Sequence, residues 1–279
     1  MRASMFAELF ESLRGRELTD ALDRLAQSSP DYDQWGYSPK DSQAFARFGY
    51  LAYRYFRPQI TGIENVPPGR VLIVPNHSGQ LPFDGLVVGI SCLLGAQPPR
   101  LLRAMAERWF PSLPFVNVFF SRAGVVVGDP INCRNLLESD NAILVFPEGA
   151  KGSGKTWWKR YQLENFGRGF MRLALQTNTP IVPVSVVGAE ESIISIHNAE
   201  RVADTLGMPY FPIPALLPVL GPLAFLPMPT KFYVDFGEPL RFTGPFDDED
   251  ESIDKKVQVV KDKIQSMIDE RRANRPSVF

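Results

Sequence analysis

The sequence holds few of the residues that most often announce a metal or redox site. Two cysteines, Cys92 and Cys133, and two histidines, His77 and His197, are all that 279 residues contain. No CxxC pair occurs, so a disulfide framework and a zinc site are both disfavoured. Net charge is lacking too: 30 Lys+Arg against 31 Asp+Glu leave −1 at pH 7, and no whole-chain field exists to hold nucleic acid. Met1 to Ser28 contains no continuous apolar core and no small-residue cleavage site, so it does not read as a signal peptide. The expected location is the cytosolic side of the membrane. An unbroken apolar span is missing as well. The longest uncharged stretch, Thr205 to Thr230, is long enough by count to cross a bilayer. Pro209, Pro212, Pro214, Pro218, Pro222, Pro227 and Pro229 veto a spanning helix by removing donors every few residues. The stretch reads as an irregular apolar arm that dips into headgroups, covers an acyl chain or crosses the core as a loop.

What is present suits a globular protein: 44% hydrophobic and 22% charged residues, with 25 prolines. Proline is the outlier, well above a typical ~5%. The length fits one large or two small domains. Phe6, Leu9, Phe10 and Leu13 recur at helical spacing beside Arg2, Arg14 and Arg16. This suits a helix packed on the main domain, with an interfacial helix as the other reading. A second amphipathic helix is expected over Asp41 to Phe56. Short apolar runs at Arg70 to Pro75, Leu101 to Met105, Val125 to Val127, Ala142 to Phe146 and Ile181 to Val187 read as strands. Helical segments at Leu86 to Leu94, Ile131 to Ser139 and Phe166 to Thr177 fall between them. Lys231 to Phe236 adds a strand, and Ile253, Val257, Val260, Ile264 and Met267 mark a closing helix. The expectation is an α/β fold: a mostly parallel or mixed central sheet flanked by helices, with residues 1–60 a helical element and 61–279 the α/β domain. Ligands then belong beyond the carboxyl ends of the strands.

Two loops at such ends carry reactive residues. In Asn76-His77-Ser78-Gly79-Gln80-Leu81-Pro82-Phe83-Asp84-Gly85, a histidine oriented by a carboxylate can act as a general base; alternatively, Asp84 merely caps a helix and His77 fills a turn. Ser78 is a tempting nucleophile, but adjacent residues seldom face each other and GxSxG is absent. The other loop, Phe146 to Thr156, supports two incompatible readings. Gly149 to Thr156 (GAKGSGKT) matches GxxxxGK[ST], a phosphate-cradling loop in which Lys155 would meet a nucleotide. Against it stand Pro147 at the strand end and Trp157-Trp158-Lys159-Arg160-Tyr161, a poor start for the helix such a loop opens. Lys155, Lys159 and Arg160 among aromatic residues read equally as an interfacial patch or a solvated basic loop. His197 reads as a surface or helix-start residue.

The other reading starts from FPEG. Asn76-His77 with Asp84, then Phe146-Pro147-Glu148-Gly149 with Lys151, then Ile181-Val182-Pro183-Val184 resemble, in order, the blocks of the glycerolipid acyltransferase family, over roughly Phe45 to Leu240. The family normally puts four residues between its histidine and aspartate, whereas Ser78 to Phe83 makes six; the HSGxxPxDG form resembles a divergent bacterial branch. The resemblance implies a lysophospholipid-type O-acyltransferase with His77 as general base and Asp84 as its orienting partner. Acyl-CoA or acyl-ACP would be co-substrate, with no cofactor and no metal, and the preferred acceptor would be 1-acylglycerol-3-phosphate. Arg122, in the place of the family's arginine motif and with Arg134 as competitor, joins Lys151 and Gly149 in holding the acceptor phosphate. Glu148 would contact a glycerol hydroxyl or orient Lys151 or Arg122, and Gly79 and Gly149 are oxyanion candidates. Implied partners are the acyl thioester, the glycerolipid and a membrane surface to which the protein is peripheral. A nucleotide hydrolase or kinase, and a noncatalytic lipid-binding protein, stay open as alternatives.

Overall fold

The computed structural model describes residues 15–27, 31–107 and 116–279; the helix expected around Phe6 to Leu13 lies outside them. Two helices come first, α1 (Arg16–Gln27) and α2 (Ser42–Phe56). Leu18, Ala21 and Leu22 of α1 pack against Ala46 and Tyr50 of α2 and Ile90 and Leu93 of α3 (Phe83–Gly95). Arg57, in the left-handed region at φ 44°, ends α2 just before Pro58.

A seven-stranded sheet follows: β1 (Gln59–Thr61), β2 (Val71–Pro75), β3 (Leu102–Ala106), β4 (Val126–Val127), β5 (Ala142–Leu144), β6 (Ile181–Val187) and, late in the chain, β9 (Tyr233–Phe236). Its order is β1-β9-β6-β2-β5-β3-β4. All neighbours are parallel except β9 against β6. Every residue of β2 and β6 is buried, as expected of strands covered on both faces. Val71, Ile73, Val182 and Val184 face Phe56, Val87, Val88 and Cys92 of the α2/α3 layer. Alternate residues Leu72, Val74 and Ile181 pack on the other layer, α5 (Pro130–Glu138), α7 (Gly169–Thr177) and α10 (Asp250–Asn274), through Leu136, Met171, Val260 and Ile264. The sheet is thus mixed but mostly parallel, with helices on both faces and a C-terminal helix. On α10 the buried stripe closes with Ile268 rather than Met267.

The sequence reading missed β1, and also β7 (Ser195–Asn198) and β8 (Pro212–Pro214), which form a separate two-stranded antiparallel sheet. His197 lies on β7, exposed. Between these two strands runs α8 (Glu200–Leu206), and the apolar arm continues past β8 through a single turn, α9 (Leu217–Leu220), and a 3-10 turn at Gly221–Phe225. Among the described residues no helix is long and apolar enough to cross a membrane. Positioning of the site follows from β2 lying between β5 and β6, with Ile73 paired to both Leu144 and Val182. The loops after these three parallel strands therefore leave the sheet together, where open α/β sheets bind ligands.

Candidate active site

The loop after β2 is locked from its first residue. Asn76 turns its side chain to β6, donating to the Val186 carbonyl at 3.0 Å and accepting from Val186 N at 2.7 Å, as a further strand residue would. His77 then emerges with its ring stacked on Phe146, centroids 4.1 Å apart. Its Nδ1 lies 2.7 Å from Asp84 Oδ2. Asp84 is fully buried in the first turn of α3 and also accepts from Ser78 N at 2.8 Å and Gly85 N at 2.7 Å. A helix N-terminus favours a carboxylate there. Since a carboxylate only accepts, the proton sits on Nδ1 and the Nε2 lone pair is the basic one. The longer spacing is absorbed by Gly79, at φ +85°, where a Cβ would come within 3.0 Å of the Ala189 carbonyl. Ser78 Oγ is buried and makes no hydrogen bond, so no serine–histidine couple exists here.

The loop after β5 packs directly beneath. Gly152, in the short helix α6 (Ala150–Ser153), lies so close that a Cβ would sit 2.7 Å from both the Glu148 and His77 Cβ atoms. Glu148 is buried and both its oxygens are engaged: Oε1 accepts from His77 N at 2.8 Å, Oε2 from Glu164 N at 2.7 Å. It orients neither Lys151 nor Arg122. Its cation is Lys155, whose Nζ is 2.8 Å from Oε2. That ammonium also lies 3.6 Å from Glu190 Oε1 and donates to the His77 carbonyl at 3.3 Å, with its side chain only 3% exposed. The nucleotide-loop reading of Gly149 to Thr156 is therefore corrected: a phosphate-binding lysine must face its ligand, and this one is enclosed and neutralised by carboxylates. Glu190 has less electrostatic support, since its Oε1 makes no hydrogen bond, and burial raises its carboxyl to about 7.

The remaining expected residues fall at different places. Gly149 adopts φ +58° and donates its N–H to the Phe146 carbonyl at 3.1 Å, so that donor is already used. Gly79 N–H has no acceptor among the described residues. Lys151 is exposed on α6, one residue before the glycine that abuts His77. Arg122 ends α4 (Val116–Arg122), where it pairs with Asp41 and Tyr32 rather than with either site loop. Its competitor Arg134 faces Glu138 at 3.9 Å on α5. Lys159 pairs with Glu164 at 3.4 Å and Arg160 stacks on Trp157.

Sequence reasoning missed Glu190 and Glu107, whose carboxylate accepts from Ala150 N at 2.6 Å, and gave Asn76 no role of its own. Neither glutamate carries a local signal, because each acts on a partner far along the chain. Beside Glu107, a largely apolar cleft of about 330 Å³ is lined by Trp35, Ala106, Val118, Phe120, Val126 and Val127 among others.

The chain is similar to known proteins in sequence and in fold. Residues 57–187 match the family model described as Acyltransferase, a span containing both loops. The chain is 38% identical over 212 residues to an uncharacterized protein of Mycobacterium tuberculosis, and 38% identical over 217 residues to one of Mycobacterium leprae. Those alignments take in 75% and 76% of this chain but 59% of each relative, so the chain spans under two thirds of their length. A probable 1-acyl-sn-glycerol-3-phosphate acyltransferase of Mycoplasma pneumoniae is 25% identical over 146 residues, 50% of this chain and 53% of that protein. The crystal structure of PlsC, the 1-acyl-sn-glycerophosphate acyltransferase of Thermotoga maritima, superposes with TM-score 0.54 at 20% identity, covering 85% of this chain and 81% of that one. Residues 57–187 thus carry a match to the acyltransferase family model, and the chain shares its fold with a 1-acyl-sn-glycerophosphate acyltransferase.

Proposed function

We propose that the protein moves a fatty acyl group from an acyl thioester, acyl-CoA or acyl-ACP, to a hydroxyl of a glycerolipid, with 1-acylglycerol-3-phosphate the first acceptor to test. The observation that carries this reading is the 2.7 Å contact between His77 Nδ1 and a fully buried Asp84 carboxylate. Nε2 takes the acceptor's hydroxyl proton as the oxygen attacks the thioester carbonyl. Collapse of the tetrahedral intermediate breaks the C–S bond, and His77 returns the proton to the departing sulfur, giving ester and thiol. No acyl-enzyme is needed. Asp84 holds the tautomer and stabilises the imidazolium between the two transfers. Gly79 N–H is the donor best suited to the developing oxyanion.

Lys151, exposed one residue before the glycine that abuts His77, is the cation for an acceptor phosphate. The cleft beside Glu107 has the size and apolar lining of an acyl-chain site. Membrane association at a cytoplasmic face would give access to lipid acceptors, and the exposed leucines of the apolar arm support it. The test is thiol release from a long-chain acyl-CoA with 1-acylglycerol-3-phosphate present, followed with the lipid product. Acceptor-dependent release should fall by ~10²–10⁴ in His77→Ala. Acceptor-independent release that persists without His77 would overturn the mechanism, and equal acyl-ligand binding with no turnover in either protein would favour a lipid carrier.

A further inference from the structure

Among the buried charges that the acyl-transfer steps leave unused, Lys155 has the most specific surroundings. Both main-chain polar atoms of His77 are tied to one ion pair: its N–H donates to Glu148 Oε1 at 2.8 Å and its carbonyl accepts from Lys155 Nζ at 3.3 Å. Glu148 and Lys155 meet each other at 2.8 Å. Lys155 grips the same loop again three residues on, its own carbonyl accepting from Gln80 Nε2 at 2.6 Å. The ammonium is thus a buried bracket between the loops after β2, β5 and β6, the last contributing Glu190.

We propose that Lys155 is a positioning residue for acyl transfer: without touching either substrate, it compensates Glu148 and holds the backbone from His77 to Gln80 so that Nε2 points at the acceptor hydroxyl. This rests on the acyltransferase reading above. The physical argument is one of charge. Glu148 can bind the His77 and Glu164 amides strongly only as a carboxylate, and a buried carboxylate stays ionised only with a cation or ample donors. A second carboxylate, Glu190, shares the enclosure, so loss of the ammonium would leave two acids with none. One of them would take a proton and the bracket would loosen. Displacements of about 1 Å at a base cost on the order of a hundredfold in rate, while substrate affinity, set elsewhere, is spared.

The experiment compares the full chain with Lys155→Met, which keeps the stem and removes the charge, using acyl-CoA and 1-acylglycerol-3-phosphate. The expected result is a kcat lower by about tenfold to a hundredfold with both KM values within about twofold, and faster hydrogen exchange at the His77 to Gln80 amides. Adding Glu190→Gln to Lys155→Met should recover a severalfold part of kcat, because one buried acid then has no rival. A raised acceptor KM with kcat intact would make Lys155 a substrate-binding lysine, and an unchanged kcat, or no recovery in the double variant, would overturn the proposal. If Lys155→Met does not fold, Glu148→Gln tests the same bracket, with wild-type kcat and exchange rates as the overturning result. Inactivity of the wild type itself would instead count against the acyltransferase reading, and the amide-exchange comparison would still judge the bracket.

Discussion

Asp84 Oδ2 accepts from His77 Nδ1 at 2.7 Å and from Ser78 N at 2.8 Å, so one oxygen fixes both the ring and the backbone beside it. Asp84→Asn separates these tasks. The amide oxygen can still accept from Ser78 or Gly85, but an NH2 turned to Nδ1 forces the imidazole proton onto Nε2, the wrong nitrogen for a base. The expected outcome is an intact far-UV spectrum, a little-changed KM and a kcat lower by ~10²–10⁴. A variant with near-wild-type kcat would show that the contact is only a helix cap.

Glu190 links the buried cluster to pH. Its carboxyl, raised to about 7 by burial, faces Lys155 and Glu148 and accepts from Tyr161 N, with the Glu191–Arg275 pair next along the chain. A raised acid binds its proton more tightly in the folded state. Its contribution to stability is therefore fully present below the ordinary carboxyl range and lost as pH rises through about 7. Glu190→Gln removes that loss. The Tm of the variant minus that of wild type should grow by several degrees between about pH 5 and about pH 8. A pH-independent difference in melting scans would place the titration elsewhere.

The acceptor phosphate gives a sharper test of Lys151. The side chain is exposed, and solvent screens it, so its effect should be moderate: Lys151→Ala is expected to raise the KM for 1-acylglycerol-3-phosphate about tenfold. The donor KM and kcat should hold, and an uncharged monoacylglycerol acceptor should be indifferent to the change. Equal effects on both acceptors would remove Lys151 from phosphate recognition.

The legible parts of the sequence were those written locally. β2 and β6 are continuous apolar runs because both faces are covered, and helices α2, α3, α5, α7 and α10 each carry a buried stripe. β7 and β8 were hidden because they are short and because Pro212 and Pro214 argue against a strand, though an edge pair tolerates them. At the site, loop chemistry named His77 and Asp84, but the role of Lys155 depends on Glu190, on the loop after another strand. The same letters GxxxxGK[ST] can present a lysine to a phosphate or enclose it, and only the surrounding carboxylates decide. Motif order places Arg122 toward the acceptor, whereas in the structure its partner is Asp41, in the turn that precedes α2.

The apolar arm makes the last expectation. Val219, Leu223 and Leu226 are 81%, 63% and 65% exposed, an apolar patch of the kind that marks a contact with a partner or a membrane. Tyr55 OH donates to the Pro227 carbonyl at 2.6 Å, joining the arm to the exposed face of α2 that carries Phe48 and Leu51. That helix has Arg47 and Arg54 and no acidic residue, as suits an anionic lipid surface. At the other end Tyr210 OH donates to the Gln80 carbonyl at 3.0 Å, so the arm begins beside the base loop. A fully buried leucine is worth ~1.5–3 kcal/mol, and even partial insertion of three such side chains exceeds the ~1.4 kcal/mol of a tenfold change. Val219→Ser combined with Leu223→Ser and Leu226→Ser should weaken sedimentation with anionic phospholipid vesicles by about tenfold or more, while sparing turnover of a short-chain, water-soluble acceptor. Added salt should weaken wild-type binding further through the arginines. Unchanged vesicle binding with impaired soluble turnover would instead assign the arm to the acyl chain, as a cover over the site rather than a contact with the membrane.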